Sequence, residues 1–176
     1  MIINAYRWLT VIRLLFPNFA PIKMNVNKII ASWGGIGYIK GGGTIAAIVT
    51  CLLLYLANQQ ELLQNVWVLP VATLIITLLG IYVGNQVEPD WGKDSYRVVI
   101  DEVSGQMVTL LFVPLTNQNL IIGLVLFRFF DMVKPLGIRK MEDLKGGTGV
   151  MMDDVLAGVY ANVVLQLILL IIPHFS

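Results

Sequence analysis

Charge is scarce in this sequence. Of its 176 residues, 13% are Asp, Glu, Lys or Arg, and 57% are apolar. Soluble domains carry about 25% charged and about 45–50% apolar residues, so this chain has too few ionic groups to clothe a surface facing water. Disorder is excluded as well, because it combines low hydrophobicity with high net charge. Twelve basic residues against eleven acidic ones leave a net charge of +1, which argues against nucleic acid as a partner. Cysteine is almost missing, and Cys51 alone permits neither an internal disulfide nor a Cys-rich zinc site. What remains is a small integral membrane protein.

The few charges are unevenly spread. None occurs in residues 41–60, 62–87, 103–127 or 155–176. A spanning helix needs about 20 mostly apolar residues. The second gap is the clearest span, with Pro70 near one end, and the last is equally apolar. The first opens on three glycines. The third is interrupted by Pro114-Leu115-Thr116-Asn117-Gln118-Asn119, a turn-like polar cluster. It reads as a hairpin of two short helices, 103–113 and 120–130. A hairpin returning to its own side places all twelve basic residues on one face, because the connection around Glu61 has none. The positive-inside bias makes that face cytoplasmic. The expected fold is therefore an all-α integral membrane helical bundle with a short helical hairpin at 103–130. Residues 1–27 form an amino-terminal extension, read as an interfacial helix around Arg7 and Arg13 or as a dispensable segment ahead of a start at Met24. Residues 28–176 form a single membrane domain.

Three polar clusters sit at the ends of the apolar segments on the basic face: Asp101-Glu102, Arg128 to Lys134, and Gly146 to Asp154. Carboxylates placed against spans are expensive and often mark function. Asp101, Glu102, Asp131, Asp153 and Asp154 offer hard oxygen ligands that suit Mg²⁺. Arg128 and Asp131, three apart on a helix, either pair or divide between phosphate and metal. Arg128 presents a planar fork to phosphate oxygens and Lys134 a point charge. The segment Gly146-Gly147-Thr148-Gly149 lets backbone N–H groups approach an anion. The only histidine, His174, falls on the opposite face, which disfavours a phosphohistidine. Cys51 lacks the Cys-x₅-Arg loop of cysteine phosphatases, and no Asp-x-Asp-x-Thr supplies an aspartyl-phosphate. Hydrolysis by a metal-activated water is left.

Three stretches carry a family resemblance. Val99-Ile100-Asp101-Glu102-Val103-Ser104-Gly105 is similar to V-I-D-E-x-x-G. Leu126 to Pro135 is similar to L-F-R-x-F-D-x-x-K-P, and Gly146 to Gly158 to G-G-x-G-x-x-x-D-D-x-x-A-G. In this order they resemble the phosphatidylglycerophosphatase A family over roughly residues 29–170. Its amino-terminal A-P-G-T-x-G-S block is replaced here by Gly41-Gly42-Gly43-Thr44-Ile45-Ala46-Ala47, which keeps Thr44. The resemblance implies a magnesium-dependent phosphatase of the bacterial inner membrane that converts phosphatidylglycerophosphate to phosphatidylglycerol and phosphate in phospholipid biosynthesis. The five carboxylates would bind Mg²⁺ and position water, with one of them free to act as general base. Arg128, Lys134 and the 146–149 segment would meet the phosphate. Two other readings use the same groups: another lipid or isoprenoid phosphate phosphatase, and a non-enzymatic ion-coupled membrane protein.

Overall fold

The computed structural model describes residues 25–135 and 137–171. The expected amino-terminal interfacial helix and His174 lie outside the described residues. In chain order come α1 (Val26–Ala31), a 3-10 turn (Ile36–Tyr38), α2 (Gly42–Gln59) and α3 (Val68–Trp91). There follow α4 (Ile100–Thr109), α5 (Asn117–Val133), a second 3-10 segment (Ile138–Asp143) and α6 (Gly147–Ile171). Among the described residues the regular structure is all helical, with no strand.

Among the described residues, three helices are long and apolar enough to cross a membrane: α2, α3 and α6, of 18, 24 and 25 residues. At 1.5 Å per residue they extend about 27–37 Å, which matches a hydrocarbon core of about 30 Å. Their outer faces carry exposed Leu52, Leu53, Leu74, Leu78, Val163 and Leu167, an apolar surface that suits lipid and not water. Pro70 stands in the first turn of α3, where its missing N–H has no intrahelical acceptor to lose.

The third charge-free gap is a hairpin. Helix α4 has only 10 residues and α5 has 17, joined by residues 110–116. Thr116 caps α5 by accepting from the Asn119 N–H at 3.2 Å, and the Asn119 amide donates to the Pro114 carbonyl at 2.9 Å. Helix α4 begins three residues earlier than expected, which puts Asp101 and Glu102 in its first turn, where the helix dipole favours negative charge. Its other end stops deep in the bundle, and carbonyls there need donors. Asn162 of α6 supplies them, donating to Thr109 O and Leu111 O at 2.9 Å each.

This arrangement brings five helix ends to one face: the starts of α2, α4 and α6 and the ends of α3 and α5. Arg128 near the end of α5 reaches Glu102 at the start of α4, which is the contact a returning hairpin must make. Lys28 of α1 closes on Asp90 of α3 at 2.6 Å on the same face. Helices α4 and α6 cross tightly at Gly105 and Gly158: a Cβ on Gly158 would collide with the Gly105 carbonyl. Small residues at such crossings let backbones approach where no hydrophobic force acts between helices in lipid.

Candidate functional site

The polar face is built from the three clusters seen in the sequence. Asp101, Glu102 and Asp154 each place a carboxylate oxygen within 4.8 Å of the others. The contact of α4 with α6 brings the first two against the third across more than fifty residues of chain. Asp154 is 3% exposed, and its Oδ2 has no hydrogen-bond partner, nor has the buried Oε2 of Glu102. Converging carboxylates with orphaned, buried oxygens are unstable as bare anions, and a hard divalent cation satisfies them. The donor set therefore fits Mg²⁺ better than a softer metal, since every ligand is a carboxylate oxygen.

Adjacent residues on a helix point about 100° apart, so Asp153 and Asp154 separate. Asp154 faces α4. Asp153 turns to the other side, where the Lys134 ammonium donates to its Oδ2 at 2.6 Å and to Glu142 Oε1 at 2.7 Å. Burial works against the charged lysine, but these two carboxylates prevail and hold Lys134 above its ordinary range. Beyond Asp153 lies a separate groove of about 270 Å³, lined by Lys93, Asp94, Glu142 and Asp143. Of the two roles open to Arg128 and Asp131, the structure displays the pair: Arg128 NH1 lies 2.6 Å from Asp131 Oδ2 and 3.9 Å from Glu102 Oε1. Arg128 thus borders the carboxylate cluster, and its buried Nε has no hydrogen-bond partner.

The glycine segment is placed differently from a free loop. Only Gly146 precedes α6; Gly147, Thr148 and Gly149 form its first turn. The Gly147 N–H donates to the Asn85 side chain at 2.8 Å, and the Gly149 N–H to the Gly146 carbonyl at 3.1 Å. Two of the expected anion donors therefore already have acceptors. A further consequence of this helix start is that Asp153 and Asp154 lie nearly two turns inside α6 and not at its end.

The altered Gly41–Ala47 block, in contrast, borders the site. Gly43 sits so close to Glu102 that a Cβ there would strike the carboxylate. Beside it opens a depression of about 460 Å³ whose lining includes Tyr38, Lys40, Thr44, Tyr96, Glu102 and Arg128. Sequence reasoning did not pick out Lys40 or the two tyrosines. The signal was the basic residue directly ahead of a glycine run that enters a span.

Comparisons with known proteins point to a family. The family model for phosphatidylglycerophosphatase A matches residues 29–169. A protein of Bacteroides thetaiotaomicron, provisionally named a phosphatidylinositol-3-phosphatase, is 40% identical over 85% of this chain and 93% of its own length. The phosphatidylglycerophosphatase A of Haemophilus influenzae is 34% identical over 76% of this chain and 74% of its own. That of Escherichia coli is 38% identical over 51% of this chain and 54% of its own. No solved structure matches.

Proposed function

The chain belongs to the phosphatidylglycerophosphatase A family, and from that premise we propose that it hydrolyses the terminal phosphomonoester of phosphatidylglycerophosphate. The products are phosphatidylglycerol and inorganic phosphate, a step in phospholipid biosynthesis. The observation that carries this reading is the convergence of Asp101, Glu102 and Asp154 beside Arg128 on one membrane face. These three carboxylates would hold Mg²⁺. When bound, such an ion supplies Lewis acidity toward a phosphoryl oxygen and lowers the pKa of a coordinated water.

Every other part of the work falls to side chains. Arg128, steered by Asp131, presents its guanidinium to the non-bridging oxygens and offsets charge that builds up as the bond to the leaving alcohol breaks. One of the five carboxylates takes a proton from the attacking water. Lys134 and Glu142 fix Asp153, and the ammonium adds positive potential toward the phosphate. In the 146–149 segment, N–H groups other than those of Gly147 and Gly149 remain to meet the same anion. The acyl chains stay in the bilayer beside α2 and α3, so the lipid need not leave the membrane. The positive-inside bias of the basic residues supports a cytoplasmic location for this face, in a bacterial inner membrane.

A second substrate is favoured by one finding: the Bacteroides relative is named for a phosphatidylinositol 3-phosphate, and it matches nearly its full length. The test is phosphate release by purified protein from a panel of phosphatidylglycerophosphate, phosphatidylinositol 3-phosphate, phosphatidic acid and an isoprenoid phosphate, with Mg²⁺ or with EDTA. Turnover of the first with Mg²⁺ supports the proposal. Preference for the second transfers the activity to that lipid, and release from none leaves the ion-coupled reading.

A further inference from the structure

The depression beside Glu102 is lined by groups of two origins. Arg128 and Glu102 belong to the carboxylate site. Lys40 comes from another element, directly before the Gly41 turn that starts α2. Lys40 makes no ion pair among the described residues, whereas Lys134 and Arg128 each face two carboxylates. Tyr38 also lines the depression, and its hydroxyl is buried without a hydrogen-bond partner. The first-turn N–H groups of α2 add positive potential there, although Gly42 already donates to Ile39. An uncommitted ammonium, an unpaired hydroxyl and a helix start suit a second anion, separate from the phosphate under attack.

We infer that Lys40 and Tyr38 form a subsite for the phosphodiester that joins the substrate's headgroup to its diacylglycerol. The inference rests on the lipid phosphomonoester reading above and deepens it. Phosphatidylglycerophosphate and phosphatidylinositol 3-phosphate both carry such a diester in addition to the monoester. Phosphatidic acid and isoprenoid monophosphates do not. A diester subsite selects the first pair as a class and leaves the choice within it to the alcohol between the two phosphates. Its place is apt, because the diester of a membrane lipid sits at the interface, where the half-exposed Ile39 and exposed Tyr96 flank the depression.

Two probes separate the two sets of groups. Dihexanoyl phosphatidylglycerol carries the diester alone, and inorganic phosphate resembles only the group removed. Each is titrated calorimetrically into the full chain in detergent with Mg²⁺, which needs no turnover. Lys40→Met should weaken the lipid probe about tenfold and shift phosphate by less than about twofold. Lys40→Arg should restore lipid binding, and Tyr38→Phe should weaken the lipid probe alone. The inference is overturned if Lys40→Met leaves lipid binding unchanged, if both probes weaken equally, or if the wild type does not bind the diester probe. Failure of the underlying activity is a different result: no phosphate release from any lipid monoester by the wild type, whatever residue stands at position 40.

Discussion

Replacing Lys134 with Met would strand a carboxylate that the fold has taken out of water. Asp153 is 4% exposed, and the Lys134 ammonium is its ion-pair partner. Removing one member of a buried pair costs about 3–5 kcal/mol, mostly from the charge left behind. The Lys134 and Glu142 side chains retain 20% and 36% of their exposure, so water reaches one flank of the bridge. Screening there lowers the expected loss to about 2 kcal/mol. For a protein of this length that is a fall of about 4–8 °C in the thermal midpoint. Asp153→Asn removes the charge, so in its background Lys134→Met should cost only about 0.5 kcal/mol of stem packing. The four proteins, unfolded in one detergent, give the coupling directly, and it should be about 1.5 kcal/mol. The pH dependence has a definite sign. Lys134 is raised in the folded state, so its stabilisation is complete below the ordinary lysine range and fades only as pH climbs above it. The gap between wild type and Lys134→Met should therefore stay flat from about pH 7 to about pH 9 on the lysine's account. Equal midpoint shifts with Asp or Asn at 153 would refute the bridge and free Lys134 for substrate alone.

Other perturbations probe neighbouring parts. Asp154→Asn should abolish turnover while membrane insertion and helicity by circular dichroism stay intact; near-normal turnover would remove Asp154 from the cation site. Gly43→Ala drives a methyl group into the Glu102 carboxylate, which can swing away, so stability should change by less than about 1 kcal/mol while the Mg²⁺ needed for half-maximal rate rises several-fold. Unaltered metal dependence would place Glu102 outside the cation's reach. Gly158→Val forces apart the crossing of α4 and α6 and should destabilise by about 1–3 kcal/mol or more, read as a lower detergent melting midpoint.

Much of the architecture was legible because membranes impose simple rules. The charge-free gaps located α2, α3 and α6, and turn chemistry at Pro114 to Asn119 divided the remaining gap into two helices. The ends were less legible. Helix α3 continues through Pro89 to Trp91, and Asp90 near its end pairs with Lys28 from α1. Helix α6 starts eight residues before its charge-free gap, so the two aspartates sit inside it. The residue types of the site were also readable, but their division was not. Asp153 and Asp154 look alike in sequence, and only helical geometry sends Asp154 to the cluster with Asp101 and Glu102 and Asp153 to Lys134. The engagement of Gly147 by Asn85, 62 residues away, has no local signal at all. Nor has the placing of Lys40 beside Arg128 around one depression.

The central claim is that a hard cation held by Asp101, Glu102 and Asp154 serves hydrolysis of a lipid phosphomonoester. The most direct measurement is release of inorganic phosphate from phosphatidylglycerophosphate by purified protein, with the metal removed and then returned. Turnover that vanishes with EDTA, returns with Mg²⁺ and is missing in Asp154→Asn is the predicted result. Full turnover in EDTA, or an Asp154→Asn protein as active as the wild type, would contradict it.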